Sequence, residues 1–124
     1  MADQTIAFEF KEGDIFYSLD GKEFLPLEED TVIGVDEGSQ VTFKIANPTI
    51  SKILGLQVNL DKGNRENYGE VWKSVPTEKE AGEWVGTTLE KVEKQRYNGW
   101  TIFYQTPDGQ RREKDPDVKM PQLP

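Results

Sequence analysis

Catalysis by a side chain needs a reactive group with a partner at the right spacing, and this chain of 124 residues lacks two of the commonest players. It contains no histidine and no cysteine. Ser18, Ser39, Ser51 and Ser74 therefore have no imidazole to act as base, and none lies in a Gly-x-Ser-x-Gly turn. Thiolate nucleophiles, disulfides and thiolate or imidazole metal sites are excluded by composition. Carboxylates are plentiful, including Glu28/Glu29, Asp36/Glu37 and Asp115/Asp117. Neighbouring acids in charged chain breaks read as solvated surface rather than as an acid–base pair. The expectation is a protein that is not an enzyme and holds no cofactor.

Two binding chemistries remain to be weighed. Calcium takes carboxylate and carbonyl oxygens, and DKGNRENYGE at 61–70 supplies Asp61, Asn64, Glu66, Asn67 and Glu70. Their spacing does not follow the alternating calcium-loop pattern, and Lys62 and Arg65 intrude, so a plain polar loop is the favoured reading. Sugars stack on flat aromatic faces while amides and carboxylates bond their hydroxyls. Asp61, Asn64, Tyr68, Trp72 and Trp84 form the candidate ligand-binding set for a small saccharide or an ion. Packing between sheets is the competing use of Trp72 and Trp84, because large aromatics belong to cores.

Composition narrows the partners. The length suits one domain over 1–124, with ends frayed near 1–4 and 121–124, and a chain of this size buries about two thirds of its unfolded surface. Charged residues make up 31% and the formal charge is −8, with no cluster of Lys and Arg. Nucleic acid and anionic membranes are thus poor partners. No run approaches the ~18 apolar residues of a membrane span. MADQTIAFEF has no signal-peptide pattern, so the chain reads as cytoplasmic, although a mature secreted domain given a new initiating Met would read the same.

The elements that would carry these groups follow from alternation. Ile6, Phe8 and Phe10 share one face of a first strand, and 15–19 form a second that stops at Asp20-Gly21, a dipeptide suited to a tight hairpin. Phe24, Leu25 and Leu27 suggest irregular chain over the core. Residues 31–35 and 40–46 are the next strands, the second with Val41, Phe43 and Ile45 inward. Residues 53–60 follow with Leu54, Leu56, Val58 and Leu60 inward. After a brief extended piece at 71–75, Thr77-Glu78-Lys79-Glu80 has capping-box spacing and predicts a short helix near 77–84. Residues 87–95 fit an edge strand, and 100–105 are a strand with Trp100, Ile102 and Tyr104 in the core. Pro107-Asp108-Gly109 turns the chain, and the tail holds a last short strand. About eight short strands and one helix describe an all-β, antiparallel Greek-key β-sandwich, cupredoxin-like or immunoglobulin-like.

Two stretches carry a more specific likeness. VDEGSQVTFKIAN is similar to the strand that leads to the first copper histidine of cupredoxins, and WTIFYQTPDG is similar to their aromatic strand ending in Phe-Tyr-Cys-x-Pro-His. Over about 31–120 the chain resembles the plastocyanin-like blue-copper sandwiches. The resemblance puts Gln105 where the cysteine would stand, Asp108 where the second histidine would, and Ser51 or Lys52 near the first. Met120 lies too far along for the axial ligand. Blue copper needs two imidazoles and a thiolate, so this copper site is absent. A close on Asp115-Pro116-Asp117-Val118 resembles the ending of small bacterial cupredoxin-like domains, where the proline fixes the way into the last strand. The resulting expectation is a non-catalytic, metal-free sandwich that acts by binding or assembly, with a protein partner or a second copy. A carbohydrate- or calcium-binding module is the alternative.

Overall fold

Alternating apolar residues in short segments can be buried only by stacking one sheet on another, and the chain does this with eleven strands and no helix among the described residues. A computed structural model describes residues 3–11, 13–28, 31–45, 52–59, 69–80 and 82–120. The strands are β1 (Gln4–Lys11), β2 (Asp14–Ser18), β3 (Leu25–Pro26), β4 (Val32–Gly34), β5 (Gln40–Ile45), β6 (Lys52–Asn59), β7 (Trp72–Glu80), β8 (Glu83–Thr88), β9 (Arg96–Gln105), β10 (Arg111–Lys114) and β11 (Asp117–Met120). The first sheet has the order β3-β2-β1-β5-β8-β7. In the second, β6 pairs with one side of β9, β10 and β11 with the other, and β4 with β11.

The alternation read for β1, β5 and β9 is what builds the interior. Ile6 and Phe8 from β1, Val41, Phe43 and Ile45 from β5, and Trp100, Ile102 and Tyr104 from β9 are all buried in one cluster. Phe43 and Trp100 meet across the sheets with ring centroids 5.1 Å apart. The sheets are mixed rather than purely antiparallel: β1 runs parallel to β5 and β4 parallel to β11. Parallel neighbours need a long connection. The chain supplies it by leaving the first sheet for β4 and returning at β5.

The helix expected near 77–84 is a β-hairpin. Residues 72–80 pair with β8, Thr77 opposite Val85 and Glu80 opposite Glu83, and Gly82 makes the turn at φ 78°. The local capping signal loses because TEKEAGEW offers no apolar stripe for a helix to bury, and most helical stability comes from such a face. As a strand, the same region buries Trp72 and Pro76 and leaves Thr77 to Glu80 exposed. The edge strand expected at 87–95 also moves. β8 lies inside the sheet with β7 as the edge, and Leu89 and Val92 pack on the core from irregular chain.

Smaller departures have equally local causes. Ile53 pairs with Tyr104 and Gly55 with Phe103, so Leu54 is the extra residue of a β-bulge and stands 41% exposed rather than inward. Past the bulge, Leu56 and Val58 return to the core side. The Asp20-Gly21 turn spans 19–24 instead of two residues, because Asp20 Oδ1 accepts from the Lys22 and Glu23 amides. In the segment expected to be irregular, Leu25–Pro26 forms β3, Leu25 is exposed and Leu27 is buried. Between β10 and β11 the pairing offset to β9 does not change. Pro116, which has no amide hydrogen, still accepts from the Trp100 amide at 3.0 Å. Leu60, expected to point inward, lies outside the described residues. No helix of the described residues is long and apolar enough to cross a membrane.

Gly86 on β8 makes the β7 hairpin fit. A Cβ there would lie 2.9 Å from Pro76 Cγ, 3.0 Å from Pro76 N and 3.0 Å from Trp72 Cζ3. Gly86→Ala is expected to destabilise the fold by about 1–3 kcal/mol, the usual cost of overpacking. A lower urea midpoint at unchanged slope would show this, and an unchanged midpoint would refute the close approach.

Candidate functional site

The tryptophans settle first, because their faces decide whether a sugar could stack. Trp72, at the start of β7, is 7% exposed and packs on Phe43 with centroids 6.2 Å apart. Trp84 stands opposite Phe43 on β8 and is half-buried against the core. Trp100 is in the core, as its alternation implied. Of the sequence-derived ligand set, Trp72 and Trp84 sit on adjacent strands with their rings engaged in packing. Asp61, Asn64 and Tyr68 lie outside the described residues, and so does most of the 61–70 loop.

Trp72 nonetheless reaches an opening. Where β6 approaches β7, Val58, Glu70, Val71, Trp72, Val75 and Asn98 line a half-open cleft of about 160 Å³. Asn98 is buried, and its Nδ2 donates to the Gly69 carbonyl at 3.1 Å. The sequence reading passed over Asn98, yet the pattern held the signal. It is the polar member of the series Asn98, Trp100, Ile102, Tyr104, whose other members face the core.

Of the positions that resemble copper ligands, Lys52 and Gln105 are cross-strand partners, and Ser51 lies outside the described residues. Gln105 pairs with Lys52 on one side and Arg111 on the other, on the outer face of the second sheet. Asp108 sits in the exposed turn and accepts from the Thr106 hydroxyl, which holds its carboxyl below the usual range. No group of three or more His, Cys, Asp or Glu converges among the described residues.

On that outer face the Leu54 bulge has a consequence. Gly55 opposes Phe103 without a side chain, and Leu54 is turned outward beside it. Leu54, Phe103, Arg111, Arg112 and Glu113 line an open trough of about 440 Å³. A Cβ at Gly55 would lie 3.7 Å from Phe103 Cδ2, an ordinary contact. Position 55 therefore has room for a Cβ beside Phe103.

Asp14 and Tyr104, both shifted in titration, meet at a seam between the sheets. Asp14 Oδ1 accepts from the Tyr104 hydroxyl at 2.8 Å and from the Ile15 amide at 2.8 Å, and Lys114 Nζ stands 3.1 Å from Oδ2. Arg112 donates to the Gly13 carbonyl at 2.9 Å alongside. Burial raises the Asp14 carboxyl, but the bonds from Tyr104, Ile15 and Lys114 outweigh it and leave the group below its ordinary value. Burial, then the bond to Asp14 and its charge, push the Tyr104 phenol well above its usual range. The cluster ties β2 to β9 and β10, and its groups are consumed in doing so.

No protein-family model matches this sequence, and a comparison with curated proteins finds no relative.

The Asp14 seam has a defined pH signature. A depressed carboxyl stabilises the fold above its unfolded value near 3.9 and loses that contribution as pH falls through the lower folded value. The stability gap between wild type and Asp14→Asn is therefore expected to be full at neutral pH and to close in acid. Tyr104→Phe is expected to cost about 1 kcal/mol and to raise the Asp14 titration followed by carboxyl NMR. An Asp14 titration that Tyr104→Phe leaves in place would contradict the seam.

Proposed function

We propose that this chain is a non-catalytic, metal-free β-sandwich of cupredoxin-like, Greek-key type that acts by recognising a protein partner on the outer face of the second sheet. The topological part of the reading draws support from the two motif-bearing strands. VTFKI forms β5 and WTIFYQ falls within β9, each interior to its own sheet. The binding part is carried by the trough at Leu54, Gly55 and Phe103. An exposed leucine beside an aromatic ring, next to a glycine that leaves the floor open, is apolar surface without a partner in the described fold.

The charges around the trough indicate what would cover it. Lys52 and Arg111 flank Gln105 on the same face of the sheet, with Glu113 opposite Phe103, and this mixed rim with an excess of cations belongs to a chain of net charge −8. Electrostatic complementarity selects partners and registers more than it adds affinity. The occupant that fits is a peptide segment that lays an apolar side chain on Phe103 and Leu54 and sets a carboxylate against Arg111 and Lys52.

A photo-crosslinking phenylalanine analogue at position 54 tests this, with the same analogue at Thr5 on the first sheet as control. The expected result is a discrete adduct specific to position 54. Gly55→Leu, which fills the trough, and Arg111→Glu should each suppress it, and an acidic apolar peptide should compete where a basic one does not. An adduct equal to the Thr5 control, or one that Gly55→Leu leaves unchanged, would refute the reading.

A further inference from the structure

Among the described residues, large apolar side chains stand exposed at Leu19 (56%), Val75 (51%), Leu25 (47%) and Leu54 (41%). Leu54 belongs to the trough. Val75 stands alone on β7, where Lys73 and Lys79 offset Glu78 and Glu80. Leu19 and Leu25 come together: with Tyr17, Ser18, Asp20 and Glu23 they line an open cup of about 230 Å³ at the β2–β3 edge of the first sheet.

The cup is held in shape by its own turn. The Ser18 hydroxyl accepts from the Gly21 amide at 2.8 Å and donates to Asp20 Oδ1 at 2.9 Å. Oδ1 also accepts from the Lys22 amide at 2.8 Å and the Glu23 amide at 2.9 Å. The Glu23 and Lys22 amides, with the Ser18 hydroxyl, keep the Asp20 carboxyl below its ordinary range, so it is ionised at neutral pH. A turn already fixed in this way loses little freedom on docking. Both charged side chains that line the cup are negative, and Lys22 is not among its walls. The trough has the opposite balance, since Lys52, Arg111 and Arg112 outnumber Glu113 there.

We propose that the partner of the trough is a second copy of this chain, docked through the Leu19–Leu25 cup. Leu19 and Leu25 lie on Phe103 and Leu54, while Asp20 and Glu23 face Arg111 and Lys52. The inference rests on the trough being the recognition surface and adds the identity of its occupant. Opposite signs fix the register of such a contact. The two patches lie on different sheets, so the contact is heterologous: it closes where two copies reciprocate and otherwise continues as a chain. The net charge of −8 opposes association in general, confines it to places where the signs differ, and keeps it weak and reversible.

Sedimentation equilibrium up to about 1 mM protein, where a Kd of that order is seen, tests the assignment. It is run at ~0.15 M salt, which screens net-charge repulsion beyond about 8 Å. The wild type is expected to gain mass reversibly with concentration. Glu23→Lys and Arg111→Glu, both at exposed positions, should each weaken association at least about tenfold. Glu78→Lys, the same charge change on exposed β7, should not. Glu23→Lys lowers the net negative charge and would by itself favour association, so a loss there belongs to the cup. Mixing the two weakened variants should restore a one-to-one pair, because one keeps an intact trough and the other an intact cup. A wild type that stays monomeric overturns the inference, and a position-54 adduct with a different protein would then leave the trough reading standing. Association that either swap leaves unchanged, that Glu78→Lys weakens equally, or that mixing does not restore also overturns it.

Discussion

Phe43 is the contact on which the two sheets depend. From the inside of the first sheet it meets Phe8 at 6.3 Å, Trp72 at 6.2 Å and Trp100 of the opposite sheet at 5.1 Å. Each such ring contributes about 1.5–3 kcal/mol when fully buried, and aromatic pairs add ~0.5–1.5 kcal/mol beyond area. The geometry around it follows from what these rings need. β5 must lie next to β1 to bring Phe8 alongside, and β9 must cross opposite to deliver Trp100. β7 must be drawn in until the Trp72 ring lies over Gly86, and that approach holds the β7 hairpin against the sheet in spite of its irregular register.

The same constraint explains what could be read in advance and what could not. Strands whose residues alternate over a shared core, β1, β5 and β9, were legible because period two is a property of each strand alone. The hairpin at 72–88 was not, since Thr77 and Glu80 make a real local helix signal and only the pairing with β8 overrides it. The Leu54 bulge was invisible for a similar reason: a bulge is a relation between two strands, and position 54 reads as inward unless Tyr104 and Phe103 are known to pair on either side of it. Parallel pairing of β1 with β5 likewise depends on where the chain goes between them. Of the candidate ligand residues, Trp72 does line a surface cleft, although its ring is used in packing. Asn98, its neighbour there, could have been found by asking which inward position of β9 is polar.

Polar groups in the described fold are used mainly at seams. Asp14 and Tyr104 join the sheets at one side. Thr88 donates to the Asp36 carbonyl at 2.7 Å and accepts from the Ser39 amide at 2.8 Å, which ties the start of β5 to the end of β8. Thr101 donates to Asp115 across the second sheet where Pro116 interrupts the strand. Perturbed titration here accompanies structural ties, and perturbation by itself is only probabilistic evidence of catalysis. Asn98 Oδ1 stands out against this background as an acceptor that the seams do not use.

How the strand edges are treated bears on the form recognition could take. Strand addition needs a free, regular ladder of backbone donors and acceptors. β3 carries Pro26 and β7 carries Pro76, so each outer strand of the first sheet lacks a ladder donor, and β7 has several register shifts besides. β6 has the Leu54 bulge, and β10 presents Arg111-Arg112-Glu113-Lys114. Proline, bulges and charge are the devices that blunt edges against pairing. A net charge of −8 adds repulsion between copies. The remaining outer strand, β4, is only three residues long, so the sandwich leaves faces and openings as the surfaces suited to recognition. The bulge that interrupts the β6 edge is also what turns Leu54 onto the outer face, so one local irregularity both discourages strand pairing and builds the trough.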